Sequence, residues 1–96
     1  MNETVYLNGR LFHATDFQEE TVQKGGKQVT KIAFHFSVTH DEYHDVTTLL
    51  YENDFHVNVP DRSLTFKGTI YNYFASNTNL YEEGAVGDFY LEIMGY

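Results

Sequence analysis

The 96-residue chain has no cysteine and no tryptophan, one proline, and only six Lys and Arg residues against fourteen Asp and Glu. Without cysteine there are no disulfides, thiolate metal sites, cysteine nucleophiles or thiol redox chemistry, and a reducing compartment is favoured. The formal net charge of −8 opposes phosphate backbones, whose neutralisation dominates nucleic-acid affinity, so no nucleic-acid partner is expected. Lys24, Lys27 and Lys31 cluster near one turn, where they read as a solvated hairpin tip. No stretch approaches the roughly 20 apolar residues of a membrane helix, and no basic segment followed by an apolar run marks a signal peptide near Met1. The expectation is a cytoplasmic chain with no membrane partner.

Aromatic residues are plentiful, with eight Phe and eight Tyr. Disordered chains lack that content, and 96 residues suit one domain spanning 1–96. Val5-Tyr6-Leu7 leads through Asn8-Gly9 into Arg10-Leu11-Phe12. Asn-Gly between apolar runs signals a hairpin, because a type I′ turn needs positive φ at both central residues. A second strand runs to about Gln23, and Gly25-Gly26 forms the next turn. In the third strand Ile32, Phe34, Phe36 and Val38 alternate with Ala33, His35 and Ser37, giving one apolar face.

The period then changes from two to three and four. Tyr43, Val46, Thr47 and Leu50 follow the capping pattern Thr39–Glu42, and together they predict a helix over about His40 to Glu52. Phe55, Val57 and Val59 predict a fourth strand, turned by Pro60-Asp61-Arg62. In the fifth strand Leu64, Phe66, Gly68 and Ile70 oppose Thr65, Lys67, Thr69, Tyr71 and Tyr73. Residues 75–88 read as a long loop that holds a short strand at Asn79-Leu80-Tyr81. In the last strand Phe89, Leu91 and Ile93 oppose Tyr90, Glu92, Met94 and Tyr96. The sum is a mostly β fold: a small barrel or two-layer β-sandwich of six or seven largely antiparallel strands with one helix.

A set of short strings in a fixed order resembles a known family. Tyr43-His44-Asp45, Leu49-Leu50-Tyr51-Glu52, Val59-Pro60, Asn72-Tyr73, Thr78-Asn79-Leu80-Tyr81-Glu82, Gly84-Ala85-Val86 and Asp88-Phe89-Tyr90 are similar to the YkvR-like proteins, small uncharacterised proteins of Bacillus-type bacteria. The resemblance covers nearly the whole chain. It implies a compact bacterial β protein and carries over no activity, cofactor or site residue.

Chemistry-bearing residues are few. His40 and His44 are spaced to share one face of the predicted helix and make the best metal candidate. A third ligand would have to come from His13, His35 or His56. Ser37, Ser63 and Ser76 lack the strand-to-helix elbow that exposes a nucleophile. Glu19-Glu20 and Glu82-Glu83 lack the across-pocket separation of glycosidase carboxylates. Gly25-Gly26 lacks the context of a phosphate loop, and Asn2-Glu3-Thr4 is a chance sequon in a cytoplasmic chain. No enzyme and no cofactor are expected.

The tyrosines are the strongest functional signal. If the last two strands are neighbours, Tyr71, Tyr73, Tyr90, Met94 and Tyr96 form one aromatic face suited to self-association or a protein partner. The first expectation is therefore a non-enzymatic binding or assembly module using that face. The alternatives are a barrel holding a small ligand inside, or a metal protein built on His40 and His44.

Overall fold

The computed structural model describes residues 2–76 and 84–96. The elements are β1 (Glu3–Leu7), β2 (Arg10–Lys24), β3 (Lys27–Thr39), α1 (Tyr43–Tyr51), β4 (Phe55–Val59), a short 3₁₀ turn (Pro60–Arg62), β5 (Leu64–Ala75) and β6 (Val86–Gly95). The six strands close into an antiparallel barrel in the order β1-β2-β3-β6-β5-β4. This is the barrel form of the fold that the sequence pattern predicts. The strand expected at Asn79-Leu80-Tyr81 and the pair Glu82-Glu83 lie outside the described residues.

Both predicted hairpin turns form. Asn8 and Gly9 have φ of 52° and 87°, and Gly25 and Gly26 have φ of 58° and 78°, the two positive values of a type I′ turn. Asn8 also helps to close the barrel. The β1–β4 seam has only two ladder pairs, Tyr6↔Asn58 and Leu7↔Val57. Beside it the Asn8 backbone N–H donates to the His56 carbonyl at 3.0 Å. The Asn8 side chain accepts from the His56 N–H at 2.7 Å and donates to the Asp54 carbonyl at 3.2 Å.

The inward residues of β1, β2, β3, β4 and β6 meet in one core that includes Val5, Leu7, Phe12, Phe17, Ile32, Phe34, Phe36, Phe55, Val57, Phe89, Leu91 and Ile93, and the half-buried Leu64, Phe66 and Ile70 of β5 pack against it. Phe36 packs edge-on to Phe12 at 5.0 Å and tilted against Phe89 at 5.6 Å. These rings fill the centre of the barrel, where an internal carrier would need room for its ligand. Val46, Leu49 and Leu50 bring α1 onto the same core.

Two bulges break the two-residue alternation. In β2 the register slips between Thr15 and Gln18. Asp16 takes φ of 50° there, and Phe17 turns inward in step with Phe12 and Ala14. In β5 the register slips between Ile70 and Asn72, so Tyr71 is an extra residue. Each bulge places two successive residues on one side of the strand.

The helix starts later than the pattern predicts, at Tyr43 rather than His40. The Glu42 carboxylate does reach back, accepting from the Thr39 N–H at 3.1 Å and the Thr39 hydroxyl at 3.0 Å. His40 to Glu42, however, form a tight turn: the Glu42 N–H donates to the Thr39 carbonyl and the Tyr43 N–H to the His40 carbonyl. The first helical bond runs from Val46 N–H to the Glu42 carbonyl at 2.9 Å. The His40 N–H is held by the Ala85 carbonyl at 3.0 Å. That bond fixes the turn to the entry of β6 and delays the helix by three residues.

Candidate functional site

The β5 bulge divides the expected tyrosine face. Tyr71 and Asn72 both point outward, and so does Phe74, whose ring tilts against Tyr90 at 5.1 Å. Tyr73 instead points toward the helix side, edge-on to the core ring of Phe89 at 5.9 Å. The expectation that Tyr71 and Tyr73 share one face is therefore corrected: simple alternation does not survive an inserted residue. Tyr90 and Met94 stay outward on β6, facing Phe74 and Thr69 in the ladder. Tyr96 lies at the barrel end, where its hydroxyl donates to the Asp54 carboxylate. That bond raises its phenol pKa above the ordinary value.

On the outer face Lys31 organises the polar groups. Its ammonium lies 2.8 Å from the Glu92 carboxylate, 3.5 Å from Glu20, and over the Tyr71 ring at 4.5 Å. Glu92 also accepts from the Tyr90 hydroxyl at 2.7 Å and from the Asn72 side-chain amide at 3.4 Å. The hydrogen bond from Lys31, then that from Tyr90, hold the Glu92 carboxyl below the usual carboxylate range. The same Lys31–Glu92 bond raises the lysine. Burial, then the bond to Glu92, raises Tyr90. The polar ends of this face are thus engaged with one another, while Tyr71 and Phe74 stay 60% and 57% exposed.

Between α1 and β5 lies a cleft of about 670 Å³, lined by His40, Tyr43, His44, Thr47, Leu50, Tyr51, Ile70 and Tyr73. Each element contributes for a local reason. The His40–Glu42 turn precedes the helix and presents His40, while Tyr43, His44, Thr47 and Tyr51 recur at helical spacing. Leu50 and Ile70 form the apolar floor, and the bulge at Tyr71 delivers Tyr73. The Thr47 hydroxyl donates back to the Tyr43 and His44 carbonyls at 2.9 and 3.1 Å. Tyr73 has its phenol pKa raised, first by burial and then by the neighbouring Tyr43 and Tyr51.

The structure brings His40 and His44 to this same cleft, though not on one continuous helix. His13 lies on β2. His35, on β3, pairs with Asp88 at 3.3 Å. His56, on β4, gives its backbone N–H to Asn8. None of these three lines the cleft, and among the described residues no three His, Asp or Glu side chains gather as a metal site. Of the serines, Ser63 closes the 3₁₀ turn with φ of 52°. Ser76 bridges to the backbone of Asp88 at 2.8 and 3.0 Å, and Ser37 faces Asp88 across the β3–β6 ladder. No helix among the described residues is long and apolar enough to cross a membrane.

Sequence reasoning missed Tyr43, Tyr51 and Ile70 as a shared lining. Tyr43 and Ile70 read as core positions and Tyr51 as part of a family string. The only signal for the cleft was the ring content of the helix itself: Tyr43, His44 and Tyr51 within nine residues.

The comparisons agree with this architecture. The solution structure of the YkvR protein from Bacillus subtilis superposes with a TM-score of 0.58 at 43% identity, covering 99% of this chain and 86% of that one. The uncharacterised protein YkvR of Bacillus subtilis strain 168 is 47% identical over 91 residues, 95% of this chain and 90% of the relative. The model of a family of proteins of unknown function, DUF3219, matches residues 4–95. With nearly its whole length inside that match, the chain belongs to the DUF3219 family.

Proposed function

We propose that the protein is a non-enzymatic binding module and that it holds a small uncharged ligand with a flat apolar ring in the cleft between α1 and β5. One observation carries this reading: five rings, those of His40, Tyr43, His44, Tyr51 and Tyr73, converge on a concave space of about 670 Å³. Small-molecule sites typically enclose about 300–1,000 Å³, with an apolar lining and a few polar groups that orient the ligand. Leu50 and Ile70 supply the floor, and no Lys, Arg, Asp or Glu lines the cleft among the described residues, which favours an uncharged ligand. A tyrosine phenol is neutral at neutral pH, and burial raises the pKa of Tyr73 further, so it suits hydrogen bonding rather than proton abstraction. The filled barrel centre favours this outer cleft over an internal site.

A protein partner on the outer face is the second reading, favoured by the adjacent exposed rings of Tyr71 and Phe74. One titration separates the two. Indole, a neutral flat probe, is added to ¹⁵N-labelled protein to roughly millimolar concentration, the range expected for a fragment of that size. Saturable shifts confined to His44, Thr47, Leu50, Ile70 and Tyr73, weakened by Tyr73→Leu, support the cleft. Shifts centred on Tyr71, Phe74 and Tyr90, or no saturation anywhere, overturn it.

A further inference from the structure

We propose that two copies of this chain pair edge to edge through residues 20–24 of β2, about a twofold axis at Val22. The inference is independent of the cleft and its ligand.

The β2–β3 hairpin outgrows the barrel. β1 pairs with β2 only as far as Ala14, whereas β2 continues to Lys24, paired on its other side with β3 down to Lys24↔Lys27. Arg62 covers the start of the outer edge. Its guanidinium lies 4.8 Å from the centre of the Phe17 ring and 3.3 Å from the Glu19 carboxylate. From Glu20 onward, no strand among the described residues pairs with that edge. An open edge offers a row of backbone donors and acceptors to another strand.

The turn sets which groups face outward. Lys24 and Lys27 flank the two-residue Gly25-Gly26 turn, whose own i to i+3 hydrogen bond makes them a hydrogen-bonded pair. Hydrogen-bonded and non-hydrogen-bonded positions alternate along an antiparallel ladder. Val22 and Glu20 therefore direct their backbone groups at β3, while Thr21 and Gln23 direct theirs at the open edge.

An antiparallel pair of identical edges must be symmetric about a residue, and the charges choose which one. Centred on Glu20, it sets two carboxylates face to face. Centred on Thr21, it sets Glu20 against Val22 and Lys24 against Gln18. Centred on Val22, it sets Thr21 against Gln23 of the second copy in hydrogen-bonded pairs and valine against valine on the axis. It also sets Glu20 against Lys24 twice, at the non-hydrogen-bonded positions where cross-strand side chains lie closest. A lysine alone would blunt the edge; with a glutamate four residues earlier the edge becomes complementary to itself. The Glu20 side chain is 60% exposed and only loosely tied to Lys31 at 3.5 Å, so it can turn to the second copy. The contact is small, and a weak dimer is expected, with Kd on the order of 100 μM.

Sedimentation velocity from about 10 μM to about 1 mM at physiological salt tests this range of affinity. Wild type should move from monomer to dimer. Glu20→Lys and Lys24→Glu should each weaken dimerisation at least about tenfold, and the double exchange should restore it. Thr21→Pro, which removes an outward N–H and leaves the β3 ladder intact, should also remove the dimer while circular dichroism remains native. A wild type monomeric at about 1 mM, a double exchange that stays as weak as the single variants, or a dimer lost through Tyr71→Ser but not through Thr21→Pro would each overturn the proposal.

Discussion

At the scale of single residues, Lys31 and Glu92 show how the outer face ties charge to stability. Both side chains are mostly buried, 17% and 13% exposed, and lie 2.8 Å apart. Glu92 has its folded pKa depressed, chiefly by the Lys31 hydrogen bond. It therefore adds stability above the ordinary carboxylate pKa, and that stability is lost as pH falls through the depressed value. Lys31 is raised, chiefly by Glu92. Its contribution is complete below the ordinary lysine pKa and is lost as pH rises through the raised one. Lys31→Met should destabilise the protein by about 1–3 kcal/mol at neutral pH, because Glu92 then loses its charged donor. Urea midpoints across pH should show that gap narrowing in acid, once Glu92 is protonated in both proteins. A gap constant from pH 7 to strong acid would show instead that the lysine acts through its ammonium over the Tyr71 ring.

At the scale of elements, what could be read from the sequence is what repeats. Alternation in β3 and β6 identifies the inward sets Ile32, Phe34, Phe36, Val38 and Phe89, Leu91, Ile93, and all of them are buried. Asn8-Gly9 and Gly25-Gly26 are visible because a type I′ turn demands residues that tolerate positive φ. The bulges are another matter. Nothing in Phe66-Lys67-Gly68-Thr69-Ile70-Tyr71-Asn72-Tyr73 marks Tyr71 as inserted, since the slip is set by the partner strand β6. With it went the placement of Tyr73, and hence the ring that β5 gives to the cleft. The helix start was misplaced for a similar reason: the capping pattern at Thr39 is real, but the distant Ala85 carbonyl decides how His40 is held. Where β5 and β6 pass closest, the structure makes a sharp demand. A Cβ on Gly68 would lie 2.6 Å from the Met94 carbonyl oxygen and 3.0 Å from the Ile93 side chain. Gly68→Ala should therefore push the two strands apart and destabilise by about 1–3 kcal/mol, read as a lower urea midpoint with an unchanged slope. Gly9→Ala meets no neighbour, and its smaller loss would come from positive φ alone.

At the scale of the whole molecule, a closed barrel is only as cooperative as its weakest seam. The β3–β6 ladder runs through nine pairs, from Lys31↔Met94 to Thr39↔Val86, whereas β1 meets β4 through two. Asn8 adds three hydrogen bonds beside those two pairs, one from its backbone and two from its side chain, so a single turn residue supports the closure of the entire sheet. Asn8→Gly isolates that role, because glycine keeps the positive φ of 52° and removes only the side-chain bonds. We expect a loss of about 1–2 kcal/mol in global stability. Native-state hydrogen exchange should show the larger change at the seam, with the amides of Tyr6, Asn8, His56 and Asn58, which face it, exchanging faster while Ile32, Phe34 and Leu91 fall only by the global loss. That contrast requires the barrel to open at the seam before it unfolds. If every core amide accelerated by the same factor, the seam would unfold only with the rest, and the clasp at Asn8 would support the molecule as one unit rather than hold a gate in its wall.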